Sequence, residues 1–224
     1  MLAFPDQPLS DAQLERFSLC FGPFGDDPFI APIPGSEHVI AIRRAADGTA
    51  PLFAENWHTD WRFQARPPSG TCLYGITIPP HGGDTLYANQ HAALDAMPAV
   101  LRTQLEGRQA IHSARGGYAP QGMYGEADKR GDRSMDIPPS EAAMATQLHP
   151  IIRPHPQHGT RCASGSGGHL LALDGMTHHA APGPLPHRPA RPAPAAVGGP
   201  PGGTGTRPRP APAALGIARQ PPQR

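Results

Sequence analysis

The strongest constraint on this chain lies at its end. The last acidic residue is Asp174, and of the 44 residues from 181 to 224, 35 are Ala, Pro, Gly or Arg and none is aromatic. Proline removes a backbone donor, glycine loses the most backbone freedom on folding, and alanine and arginine bury little apolar surface. A segment of this mixture cannot offset its own ordering entropy, so residues 181 to 224 are expected to be a disordered tail and the fold must be built upstream. The same four residue types are those whose codon families begin with two G or C letters. The tail is therefore also what a GC-rich gene read in a shifted frame yields, with a natural Pro/Ala/Arg spacer as the alternative.

Upstream there is room for one domain of ordinary size. The formal charge of +1 gives no long-range field for a polyanion, so no nucleic-acid partner is expected. The three cysteines, Cys20, Cys72 and Cys162, form no C-x-x-C pair and suit a reducing compartment. The start, "MLAFPDQPLS", lacks the basic end and apolar run of a signal peptide, and no segment approaches the roughly 18 apolar residues of a membrane span. The expectation is a cytoplasmic protein without a membrane partner, with homo-oligomerisation left open.

Residues 10 to 21 read as a helix: Ser10 and Gln13 form a capping box, Leu14, Phe17 and Phe21 recur at helical spacing, and Gly22 offers a stop. "HVIAIRR" (38 to 44), "TCLYGITI" (71 to 78) and "DTLYA" (84 to 88) have strand character. Asn89 can cap a helix through "ALDAM", and Pro98 opens a second helix ended by Gly107. "QAIHSA" (109 to 114) reads as a strand, 115 to 140 as a mobile Gly-rich loop, and "QLHPIIRPHP" (147 to 156) as one extended piece.

The segment "ENWHTDWRF" (55 to 63) carries the chemistry. With 12 His and 12 Asp in 224 residues a His-x-Asp triplet arises by chance about 0.6 times, so the triplet alone says little. If 57 to 63 is extended, however, His58 and Asp60 point to one face and their side chains can converge on one ion, with Trp57, Thr59 and Trp61 burying the back of the strand. One imidazole and one carboxylate are two-thirds of the 2-His-1-carboxylate triad that holds non-haem Fe(II), whereas a closed structural zinc site takes four ligands, usually with cysteine. A zinc-dependent hydrolase at the same pair is a further alternative.

Motifs along the chain resemble the TauD/TfdA family of dioxygenases. "NWHTDWRF" is followed after "PPSG" by a strand and then "GGDTLYAN"; "PDQPLSDAQLERFSLCF" (5 to 21) and "LHPIIRPHPQHG" (148 to 159) are similar to two further family segments. The resemblance implies a mainly β fold with flanking helices, a double-stranded β-helix (jelly roll), incomplete at both ends. It implies Fe(II), 2-oxoglutarate and O2, with hydroxylation of a small, anionic organic substrate of the taurine, alkyl sulfate or aryloxyacid class and release of succinate and CO2. His58 and Asp60 match two iron ligands, Thr85 matches the threonine that binds a 2-oxoglutarate carboxylate, and Asn56 and Trp57 match positions beside the substrate pocket. His112, His149 and His155 are expected to be structural, and the loop 115 to 140, with Arg115, Lys129, Arg130 and Arg133, to be a lid.

The family's third iron ligand follows in a W-D-N-R-x-x-x-H context roughly 150 residues after the aspartate, with a carboxylate-clamping arginine beyond it. Neither motif occurs here, no histidine follows His187, and Arg207, Arg209 and Arg219 lack the surrounding pattern. His178, His179 and His187 lie in Pro/Gly-rich surroundings that do not favour a precise ligand. The expected organisation is a family domain over 1–159, a transition over 160–180 and the tail over 181–224. The rival reading is an inactive, truncated or frameshifted relative.

Overall fold

The structure, a computed structural model, describes residues 1–44, 57–78, 85–126 and 135–175, together with the backbone of residues 217–219. Helix α1 (Asp11–Leu19) begins as its sequence dictates. Ser10 Oγ accepts from the Gln13 amide, and Gln13 Oε1 accepts from the Ser10 amide, so two orphan donors are met reciprocally. Leu14 is buried against Val39, with Leu9, Phe24, Ile33, Cys72 and Tyr74 around them.

Two short helices, α2 (Gln90–Asp95) and α3 (Ala99–Leu105), follow the expected signals. Asn89 Oδ1 accepts from the amides of His91 and Ala92, and Gly107 ends the second helix with φ +70°. Their Leu94 and Leu105 pack with Ala110, Ile152 and Leu173 into a second core.

Strand β2 (Gln109–Ser113) is the centre of a three-stranded antiparallel sheet, flanked by β3 (Thr146–Pro150) and β6 (Leu170–Leu173). Strands β4 (Ile152–Pro154) and β5 (Arg161–Ala163) form a separate antiparallel pair, as do β1 (Gly70–Cys72) and β7 (Ile217–Arg219). The single extended piece expected over 147 to 156 is thus two strands in two sheets. The handover is at Ile151, whose amide still donates to the Arg108 carbonyl in the β2–β3 register while its carbonyl accepts from the Ser164 amide in the β4–β5 register.

Three further expectations are corrected. Residues 38 to 44 hold one bridge at Ile40 and no strand; Val39 and Ile40 are buried in different clusters, so the apolar pattern marks burial rather than ladder pairing. The strand expected over 71 to 78 stops at Cys72. Beyond it the chain curls until the Ile78 side chain lies where a Cβ on Gly75 would stand, 2.7 Å from it. Residues 85 to 88 are irregular and exposed rather than a returning strand, and 79 to 84 lie outside the described residues.

The segment read as a mobile loop is partly packed where it is described: Tyr118, Ala119, Met135 and Ile137 are buried, while Arg115, Gly116 and Met123 are exposed. Helix α4 (Arg115–Tyr118) puts Tyr118 into the third and largest core with Phe29, Ile30, Ile40, Met135 and Ile137, its ring stacked on Phe29 at 5.3 Å. The aromatics and the glycine-permitted close turns supply the order that the lack of periodicity hid. Lys129, Arg130 and Arg133 lie outside the described residues. No helix among the described residues is long and apolar enough to cross a membrane.

Candidate metal centre

His58 and Asp60 meet, but on a turn rather than on a strand. Residues 60 to 63 bend, Trp61 takes φ +47°, and the Gln64 amide closes the bend onto the Trp61 carbonyl at 2.9 Å. A left-handed conformation at a tryptophan is unusual and is held here by tertiary contacts. The turn sends Arg62 inward to full burial, leaves Trp61 half-buried and leaves Trp57 48% exposed, so the expected alternation of faces does not occur.

Four contacts from distant segments fix the turn. Thr59 donates its hydroxyl to the Gly165 carbonyl at 3.0 Å, and Arg62 Nη2 donates to Ser164 Oγ at 2.5 Å. His149 Nε2 donates to the Gln64 carbonyl at 2.8 Å. The Thr71 hydroxyl, from β1, donates to Asp60 Oδ2 at 2.5 Å. The Trp57 carbonyl lies so near Gly167 that a Cβ there would stand 3.3 Å from it. The loop joining β5 to β6 is therefore the wall against which the His-x-Asp turn rests.

Within the turn, His58 Nε2 and Asp60 Oδ1 are 3.1 Å apart, with side chains 31% and 41% exposed. The His58 hydrogen bond holds the Asp60 carboxyl below its usual range, against the opposing effect of burial and with help from the Thr71 hydroxyl. An N and an O at adjacent corners of an octahedral ion, each about 2.1 Å from it, lie about 3.0 Å apart. The pair thus fits two neighbouring positions on one cation that replaces the shared proton. Among the described residues no group of three His, Cys, Asp or Glu side chains is placed to hold a metal, so the third corner is not supplied there.

His169, which sequence reasoning passed over, stands near this pair at the end of the loop, its ring edge-on to Phe63 at 4.9 Å. Burial first, and then the neighbouring His58 charge, push its pKa down to about 4, while Asp60 pulls the other way; its Nδ1 is shielded and without a hydrogen bond. The ring is neutral at physiological pH. Nothing in the local sequence "SGSGGHLL" singles it out, because only the return of the loop to the turn brings it close.

The remaining expected residues are scattered. Thr85 is exposed, and no hydrogen bond or ion pair among the described residues joins it to the pair. Asn56, His178, His179, His187, Arg207 and Arg209 lie outside the described residues. Arg219 pairs with Gly70 in the β1–β7 register, on the strand that carries Thr71. His112 is fully buried on β2, bonded through Nδ1 to the Ala110 carbonyl.

The architecture is that of taurine dioxygenase-type proteins. A crystal structure of a taurine dioxygenase from Burkholderia xenovorans superposes with a TM-score of 0.57 at 26% identity, covering 79% of this chain and 53% of that one. The chain belongs to the taurine catabolism dioxygenase TauD, TfdA family, whose model matches residues 1–186 and so runs well beyond position 159, where the motif resemblance thins. An alpha-ketoglutarate-dependent sulfate ester dioxygenase of Pseudomonas putida is 27% identical over 162 residues, 68% of this chain and 48% of the relative. An alpha-ketoglutarate-dependent 2,4-dichlorophenoxyacetate dioxygenase of Cupriavidus pinatubonensis is 28% identical over 192 residues, 79% of this chain and 63% of the relative. The chain spans about half the length of several relatives it matches.

Proposed function

We propose that the chain is an Fe(II)- and 2-oxoglutarate-dependent dioxygenase of the double-stranded β-helix architecture, hydroxylating a small anionic organic molecule. The observation that carries this reading is the 3.1 Å approach of His58 Nε2 to Asp60 Oδ1 in a chain of this family. When bound, the iron supplies oxidation of an unactivated C–H bond by O2, coupled to conversion of 2-oxoglutarate to succinate and CO2.

The residues' own work is binding and orientation. His58 offers the Nε2 lone pair of its neutral ring, with the ring proton on Nδ1, and Asp60 offers Oδ1. Protonation of either group competes with the metal, so metal uptake weakens as the pH falls. Thr85 offers a hydroxyl to a 2-oxoglutarate carboxylate, and the exposed indole of Trp57, with Asn56 before it, offers a wall to the substrate. The division into a domain over 1–159, a transition over 160–180 and a tail over 181–224 belongs to the same reading. So do cytoplasmic location and a small-molecule substrate as the partner.

One observation favours a second reading. With no third His, Cys, Asp or Glu side chain among the described residues placed to hold a metal together with the pair, the chain fits an inactive, truncated or frameshifted relative with a weak two-ligand site. The two separate in one assay: succinate formed by the full chain with Fe(II), 2-oxoglutarate and O2, offered taurine, an alkyl sulfate or an aryloxyacetate. Substrate-stimulated succinate, lost in His58→Ala and Asp60→Ala, supports the enzyme. Succinate at background with every substrate supports the inactive relative.

A further inference from the structure

We propose that His91, His155 and His158 form an acid-sensitive latch, which seats the β4–β5 hairpin on α2 at neutral pH and releases it when the cluster takes up protons. The three rings come from two places in the chain. His91 lies in the first turn of α2, while His155 and His158 lie in the connection between β4 and β5. That connection is closed by the His155 amide on the Thr160 carbonyl and the Gly159 amide on the His155 carbonyl. The His155 and His158 rings stack face to face, 4.0 Å apart and 3° from parallel. His91 stands 5.0 Å from His158 and 5.9 Å from His155, centroid to centroid.

Two hydrogen bonds fix which nitrogens carry protons. His91 Nδ1 donates to the Arg161 carbonyl at 2.8 Å, a contact across 70 residues that joins α2 to β5. His155 Nδ1 accepts from the Gln157 amide at 3.3 Å, so its own proton sits on Nε2 and the ring is neutral. A proton added to Nδ1 would face that amide hydrogen, and the bond would be lost. Charge on a second ring would then repel the first across a stacking distance.

The surrounding groups do little to relieve this. Arg153, on β4 two residues before His155, makes no ion pair among the described residues, and Arg161, on β5, is already engaged by Glu106. Asp95, four residues beyond His91, is the one carboxylate on α2, β4, β5 or the turn between the strands. Burial first, and then His158, His91 and Arg153, push the His155 pKa down. Closure is therefore favoured above pH 6.5 and weakens as the pH falls below it. The effect reaches beyond the hairpin. Strand β5 leads into Ser164 and Gly165, which accept from Arg62 and Thr59 and so anchor the bend that carries His58 and Asp60.

The test is hydrogen–deuterium exchange of the full chain at pH 7.5 and 5.5, read on peptides spanning β4 and β5 and on peptides spanning β2, each corrected for its intrinsic rate. One proton held one pKa unit more tightly by the open hairpin favours opening about tenfold. In the unaltered chain the hairpin is expected to lose roughly tenfold more protection than β2 between the two pH values. In His155→Gln/His158→Gln that excess is expected to vanish. Neither ring is fully buried, so the variant is expected to fold, and far-UV circular dichroism checks this. If it does not fold, His158→Gln, at an exposed position, takes its place and is expected to reduce the excess. Equal losses over hairpin and β2, or an excess that survives the substitution, overturn the latch. So does a hairpin without protection at pH 7.5.

Discussion

The imidazole of His149 donates from Nε2 to the carbonyl oxygen of Gln64 at 2.8 Å, tying β3 to the bend that carries His58 and Asp60. The ring is 6% exposed, and burial, followed by the nearby Arg62 charge, depresses its pKa, so at neutral pH it is an uncharged donor.

Removing that donor is expected to loosen the bend. His149→Ala should lose about 1–3 kcal/mol by urea denaturation, from a lost buried hydrogen bond and a cavity, and should bind Co2+ more weakly. His149→Gln, whose amide can donate to the same carbonyl, should recover part of both. Equal losses of metal affinity in the two variants would argue that the donor is not what matters.

Acid should unfold the protein partly through His112. Burial, with Arg62 next in effect, pushes its pKa from 6.5 down to about 4, so the unfolded chain takes up a proton that the folded chain refuses. The stabilisation is present above pH 6.5 and is lost progressively as the pH falls towards 4. The loss is about 3 kcal/mol at most, and urea midpoints measured across that interval should show a steeper decline than in His112→Gln.

Asp27 works with the opposite sign. Burial raises its carboxyl from 3.8 to about 6, despite the amides of Phe29 and Ile30 donating to Oδ1. The folded state holds this proton more tightly than the unfolded state, so the contribution is full below pH 3.8 and lost as the pH rises through about 6. Asp27→Asn keeps an acceptor for both amides without the charge. It should be more stable than the unaltered chain by about 1–2 kcal/mol at pH 8, allowing for partial exposure, and no more stable at pH 3.5.

Two glycines nine residues apart should respond differently to alanine. A Cβ on Gly125 would stand 2.0 Å from the Pro120 carbonyl oxygen and 2.9 Å from that of Ala119, so the turn must open. The expected loss is about 2–3 kcal/mol, read as a fall in Tm. Gly116, in α4, has nothing within 4 Å of that position, and Gly116→Ala should be neutral or gain up to about 1 kcal/mol. A tolerated Gly125→Ala would show the 115 to 126 segment to be loosely held.

How far the fold was legible follows from the range of the interactions involved. The Ser10 and Asn89 caps act within three residues of themselves, so α1 and α2 could be read from neighbouring letters. Strand β2 was legible too, its residues carrying strand propensity together with a central place in the sheet. The 38 to 44 and 71 to 78 segments have the same propensity but found no ladder partner along most of their length, which no local pattern reveals.

By itself, the amino-acid sequence determined the helix starts, the family motifs and the presence of an imidazole and a carboxylate one residue apart. The tertiary structure decided how those two groups meet. It replaced a strand by a bend, placed Thr71 on the second carboxylate oxygen, and set the bend against a loop that carries His169. The physical reason is contact distance along the chain. The Thr59, Arg62 and His149 bonds that fix the bend span 106, 102 and 85 residues, and they exist only once the sheets and cores of the described residues have brought their ends together.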